Sequence, residues 1–228
     1  MYPSAPSDRC PVSGQTKSEE SLNFWTHMLG LVGSFFGFLY LVYQAHLYGT
    51  AMLYIGCVTY GICLVAVYGA STLYHYSRCQ KQKAYLKILD HACIYLMIAG
   101  TYTPLMLGPL AGTWGWTLLG IVWTAALVGI LWKLNGPMQR SITSTIPYLL
   151  MGWLGLAIIQ PLLQTLPPQA FFWLIAGGVA YTVGVLFYLL ESLPFHHAIW
   201  HLFVLCGSAC HYHLIAHYVI NAAVPLQL

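Results

Sequence analysis

The sequence predicts an all-α membrane protein, a seven-transmembrane helix bundle with its N-terminus in the cytoplasm and its C-terminus outside. Three observations predict it. Of 228 residues only 8 are Lys or Arg and 5 are Asp or Glu, so the chain is 6% charged and 59% hydrophobic, against about 25% charged in an average soluble domain. A surface so poor in charge meets lipid rather than water, and a mean hydropathy of +0.69 agrees. The chain also divides into seven predominantly apolar stretches of about the 20 residues needed to cross hydrocarbon. Finally, all eight basic residues fall on one side of that pattern. The formal charge of +3, spread along this length, offers no phosphate-neutralising patch, which excludes nucleic acid as a partner.

Residues 1–22 read as a polar N-terminal tail and 23–228 as a single transmembrane domain. Met1 to Ser21 has no apolar run, so it is a short tail rather than a cleaved signal peptide. The spans run Phe24–Gln44, Thr50–Tyr74, Leu86–Leu107, Thr113–Trp132, Ile142–Leu163, Ala170–Leu190 and His197–Val219. The breaks between them carry Gly, Pro, Gln and nearly all the charge. Pro104, Pro147 and Pro161 fall near helix ends, where neighbouring groups can satisfy the carbonyls a proline frees. Arg9 and Lys17 precede the first span. Arg78, Lys81, Lys83 and Lys87 lie at the junction of the second and third, and Lys133 and Arg140 join the fourth to the fifth. Lys and Arg are retained on the cytoplasmic side, so these loops face inward in a multi-pass protein of the cell (inner) membrane. The 7 cysteines are odd in number and form no CxxC pair, and read as small core residues.

Imidazole is costly in hydrocarbon, which makes 10 His in such a chain conspicuous. Topology decides which can be neighbours. Ser71 and His75 at the inner end of the second span, Asp90 at the start of the third, and His197 and His201 at the start of the seventh share one depth. Each i,i+4 pair faces one direction from its helix. Two such histidines can bind one metal, and a third from another helix completes a His₃ site with an open fourth position, where bound water becomes acidic. Taken singly, an HxxxH can be mere packing and Asp90 a charge favoured by a helix start. Their convergence at one depth favours a metal site. His213 and His217, also HxxxH, lie with His46 on the outer side without a carboxylate, and read as interfacial. His196 points about 100° away from His197, and His91 reads as packing or support. Ahead of the first span, Glu19 reads as a cap, while Glu20, Asn23 and His27 form an i, i+3, i+7 polar stripe that is either capping or aimed at the bundle.

At these residues the sequence resembles the hemolysin-III-related branch of the progestin and adipoQ receptor family, related to the alkaline ceramidases. The resemblance covers nearly all of the chain after the tail. It rests on Glu19-Glu-x-x-Asn-x-x-Thr-His27, Ala70-Ser-Thr-Leu-Tyr-His75, the run from Leu89-Asp-His to Tyr-Thr-Pro104, and His197-Ala-Ile-Trp-His201. It implies Zn²⁺ near the cytoplasmic face, held by His75, His197 and His201, with Asp90 holding or deprotonating the metal's water and Ser71 supporting it. The function expected is zinc-dependent hydrolysis of a membrane-lipid amide or ester, with the lipid or fatty acid in a bundle cavity and an influence on lipid composition and membrane fluidity. A receptor-like lipid sensor with structural zinc, and a cytolysin, are the alternatives. The near-absence of an N-terminal domain departs from the eukaryotic receptors, and no span carries a polar face along its full length as a pore requires.

Overall fold

The computed structural model describes residues 9–136 and 142–222. Arg140, used above for topology, and the two chain ends lie outside them. The described residues are almost wholly helical: α1 (Lys17–Tyr48), α2 (Ala51–Tyr76), α3 (Gln80–Leu107), α4 (Thr113–Asn135), α5 (Ile142–Gly152), α6 (Ile159–Thr165), α7 (Pro168–Leu189), α8 (His196–Leu214) and α9 (Ile220–Ala222). A 3₁₀ turn, Trp153–Ile158, joins α5 to α6, and a π turn, Ile215–Val219, joins α8 to α9.

Six helical segments are long and apolar enough to cross a membrane: Lys17–Tyr48, Ala51–Tyr76, Thr113–Asn135, Ser144–Thr165, Pro168–Leu189 and His196–Ala222. The third expected span is a helix of 28 residues, but it is less apolar than these. It begins with three lysines, carries Asp90 and His91, and ends in a Thr-Tyr-Thr-Pro run. The reason is where it sits. α3 packs against both α2 and α4, and most of its second half is buried, so its outer faces meet protein rather than acyl chains. At Gly56 a Cβ would stand 2.7 Å from Pro104 Cα. Only glycine lets α2 approach the α3 backbone so closely. Outward from the bundle, Trp25, Leu29, Phe36, Val128, Leu150 and Phe172 are exposed, as a lipid-facing surface requires.

The fifth span departs most from expectation. Instead of one helix over Ile142–Leu163, α5 stops at Gly152 and the chain tightens through Trp153–Ile158 before α6 begins. Pro147 lies inside α5 and Pro161 in the first turn of α6, and Gly152 and Gly155 bracket the break. A break within the membrane strands backbone groups that lipid cannot satisfy. Tyr102 of α3 satisfies them: its hydroxyl donates to the Gly152 carbonyl at 2.7 Å and accepts from the Gly155 N–H at 2.8 Å.

Residues 9–16 fold back on the end of the bundle where α1 and α3 begin. An antiparallel bridge joins Arg9 to Thr16, and Lys87 Nζ donates to the Val12 carbonyl at 3.2 Å. Thr16 and Glu19 make a reciprocal capping box that starts α1, so Glu19 caps as expected. The same carboxylate accepts the Phe195 N–H at 3.2 Å. Phe195, immediately before α8, is held in the left-handed region at φ 57°, a conformation that costs a non-glycine residue about 1–2 kcal/mol.

The stitching at the broken span gives a first prediction. Tyr102→Phe leaves a carbonyl and an N–H unpaired in an apolar interior and is expected to cost about 1–3 kcal/mol. Thermal unfolding in detergent should show the midpoint falling by several degrees; an unchanged midpoint would remove this role.

Candidate metal centre

Two helices deliver three imidazoles to one point. Ser71 and His75 lie on the last turns of α2, and His197 and His201 on the first turns of α8, each pair one helical turn apart. His75, His197 and His201 are buried, and each presents a ring nitrogen within 4.8 Å of the others. Their ring centroids are 5.2 Å (75 to 197), 5.1 Å (75 to 201) and 4.7 Å (197 to 201) apart. The cluster can hold a metal ion.

α1 sets two of the three tautomers. Glu20 Oε2 lies 2.8 Å from His75 Nδ1. A carboxylate only accepts, so Nδ1 carries the proton and Nε2 keeps its lone pair. Thr26 Oγ1 lies 3.0 Å from His201 Nδ1 and donates its own proton to the Leu22 and Asn23 carbonyls, each at 2.9 Å. The hydroxyl therefore accepts from His201, leaving that ring's Nε2 as the free base. His201 is completely buried, and its Nε2 has no hydrogen-bond partner among the described residues. An orphaned basic nitrogen there is what a metal ligand needs, and the donor set of three neutral imidazoles suits zinc among the divalent ions. Glu20 is itself fixed by Lys83, whose Nζ lies 2.9 Å from Oε2 and donates to the Tyr74 carbonyl at 2.8 Å. Ser13 Oγ bonds its other oxygen. This carboxylate–imidazole pairing is how proteins orient metal-binding histidines.

Of the polar stripe, Glu20 reaches His75, and His27 lies flat on His201 with ring centroids 3.4 Å apart and 12° between planes. Asn23 sits between them in sequence and is completely buried. Asp90 lies close to Ser71. With His27 it borders a cavity of about 170 Å³ among α3, α5, α7 and α8, otherwise almost wholly apolar, with walls that include Met97, Ile98, Leu149, Val185 and Val204.

The remaining histidines are engaged elsewhere. His196 turns to the Phe187 carbonyl at 3.1 Å and to Gln15 at 3.3 Å. His91 Nδ1 donates to the Lys87 carbonyl at 2.8 Å, and its Nε2 lies 3.3 Å from the Tyr188 hydroxyl. At the far end of α8, His213 packs on Trp173 and on His217, both at 4.3 Å between centroids. Thr26 and Lys83 were not singled out in the sequence as site residues. Lys83 precedes Asp90 by seven residues, two turns on the same face of α3, which marks it as inward-facing; Thr26 offered only its place in the motif beside His27. His211, also unread, borders the cavity and lies 3.2 Å from the Leu174 carbonyl.

A membrane-embedded helical bundle with a buried three-histidine cluster at one end is the class this fold and site define. The sequence model for haemolysin-III-related proteins matches residues 15–212. Hemolysin-3 of Bacillus cereus is 43% identical over 209 residues, covering 92% of this chain and 95% of the relative. The hemolysin-3 homolog of Bacillus subtilis (strain 168) is 42% identical over 206 residues, covering 90% and 97%. The human monocyte to macrophage differentiation factor is 29% identical over 229 residues, covering 94% and 91%. The chain belongs to the haemolysin-III-related family.

Two variants separate ligands from their support. His75→Ala is expected to abolish stoichiometric metal in the purified protein. Glu20→Gln, which keeps shape but loses charge, should weaken metal affinity about 10–100-fold. Metal analysis after titration with a competing chelator reads both, and full metal retention in His75→Ala would exclude that residue as a ligand.

Proposed function

We propose that this protein is a zinc-dependent hydrolase of a membrane-lipid amide or ester bond. In this reading it sits in the cell (inner) membrane with seven spans, α3 being the seventh, its N-terminus cytoplasmic and its C-terminus outside. The zinc site then lies near the cytoplasmic face. The observation that carries the reading is a three-imidazole cluster, short of the four ligands of a structural zinc site, that reaches through the His27 ring stacked on His201 to an apolar chamber bordered by a buried carboxylate.

His75, His197 and His201 would hold the Zn²⁺, which would supply Lewis-acid polarisation and a more acidic water. The rest is the work of the chain. The chamber takes an acyl chain and keeps bulk water from it. Asp90 accepts a proton from the attacking water as that oxygen bonds to the carbonyl carbon, then returns it to the departing amine or alcohol as the C–N or C–O bond breaks. Ser71 donates a hydrogen bond to the water or to the developing oxyanion. A fatty acid and a freed head group leave, which changes the lipid composition and fluidity of the membrane.

Hydrolysis is tested with purified, zinc-loaded protein offered ceramides, other N-acylated amines and phospholipids. Fatty acid should be released from at least one, and Asp90→Asn should slow that release about 10²-fold or more while retaining zinc. If no lipid among these is cleaved, the enzyme reading fails.

A further inference from the structure

The mechanism proposed above leaves the loop ahead of α1, residues 10–15, without a task. Its backbone closes on itself. The Cys10 N–H donates to the Gln15 carbonyl and the Gly14 N–H to the Cys10 carbonyl, both at 2.8 Å. The Arg9 guanidinium donates to the Gly14 carbonyl at 2.9 Å. Gly14 turns the chain at φ 74°, a conformation that only glycine adopts at no steric cost.

Three contacts stitch this loop to three helices around the candidate metal centre. Ser13 Oγ donates to Glu20 Oε1, on the carboxylate whose other oxygen meets His75. Lys87 of α3 reaches the Val12 carbonyl at 3.2 Å. Gln15, 3% exposed, places its amide nitrogen 3.3 Å from Nε2 of His196, the residue before His197. The last two bonds are long. The Gln15 amide oxygen, moreover, is buried without a hydrogen-bond partner among the described residues, which costs free energy as long as the loop stays closed.

A metal ion needs a way to the three buried rings. Neither hydrocarbon nor the almost wholly apolar chamber can carry a hydrated dication. A polar route leads past Glu20, whose side chain keeps 13% exposure where that of His75 has none. The loop is bonded to that carboxylate. We infer that residues 10–15 are a gate on the metal centre, which governs the passage of the ion and of water to the three imidazoles and opens by releasing Lys87 and His196. The inference rests on the metal-centre reading and not on hydrolysis.

Zinc exchange tests the gate, with Zn²⁺ itself as the probe and the full chain in detergent. Two variants weaken closure without altering Glu20. Gln15→Ala removes the contact with His196. Gly14→Val puts a β-branched residue at positive φ, where its Cβ meets open space and only the backbone is strained. Stopped flow reads both directions: uptake by the metal-free protein, and release into excess chelator. A gate whose closure is weakened opens more often, so uptake and release should quicken together. The expected factor is about three- to tenfold in each variant, the scale of one lost hydrogen bond or one strained residue. Affinity, the ratio of the two rates, should stay within about twofold of the wild type. Faster release with unchanged uptake would overturn the gate, because it describes a brace for Glu20 that weakens affinity. Zinc exchanged at wild-type rates by both variants sinks the gate alone. Zinc bound by neither the wild type nor the variants sinks the metal-centre reading and the gate with it.

Discussion

Hydrocarbon offers no hydrogen bonds, so every polar atom that enters the bundle must find its partner within it. Much of this structure follows from meeting that demand at one end of the bundle. Three imidazoles are brought into a space where none can be solvated. The groups that make this tolerable come largely from α1: Glu20 on His75 and Thr26 on His201. Each fixes a proton on the nitrogen facing away from the cluster and so points a lone pair into it. The Lys83 ammonium then balances the Glu20 carboxylate, since a buried charge without a counter-charge is far more costly than a pair. The carboxylate of Glu19, meanwhile, caps α1 and holds the N–H of the strained Phe195, so one side chain ties the start of α1 to the start of the helix that carries His197 and His201.

The same rule accounts for the irregular segment Ser144–Thr165. A chamber beside the cluster requires that some helix not fill the space, and the α5 to α6 segment leaves it by tightening between Gly152 and Ile158. Tyr102 absorbs the backbone groups so released. The chamber thus combines an apolar wall with a few polar groups, Asp90 and His27 among them, the composition common to small-molecule pockets.

Much of this was legible in the residues, and the limits have physical causes. Paired i,i+4 spacings in Ser71/His75 and His197/His201, combined with the one-sided placement of the lysines and arginines, put the three clustered histidines at one depth. The run of apolar residues located the helices well because lipid enforces composition along each span. It failed to anticipate α3 as the least apolar helix, since a helix enclosed by other helices is released from that requirement. It missed the break in α5 because proline and glycine permit a break without dictating one. Glu20 was readable as inward or as a cap; only the packing of α1 against α2 decides, by bringing a carboxylate to an imidazole 55 residues away. Lys83 was read as a topological marker, and a buried use for a lysine is invisible without its acidic partner in space.

We propose that His75, His197 and His201 form a metal centre with one position left for chemistry. X-ray absorption at the zinc edge on the purified wild-type protein tests it most directly. The account predicts one zinc per chain with three imidazole nitrogens at about 2.0–2.1 Å and a single further light ligand from solvent or lipid. A zinc-free protein after loading, or a shell completed by a fourth protein side chain, would contradict it.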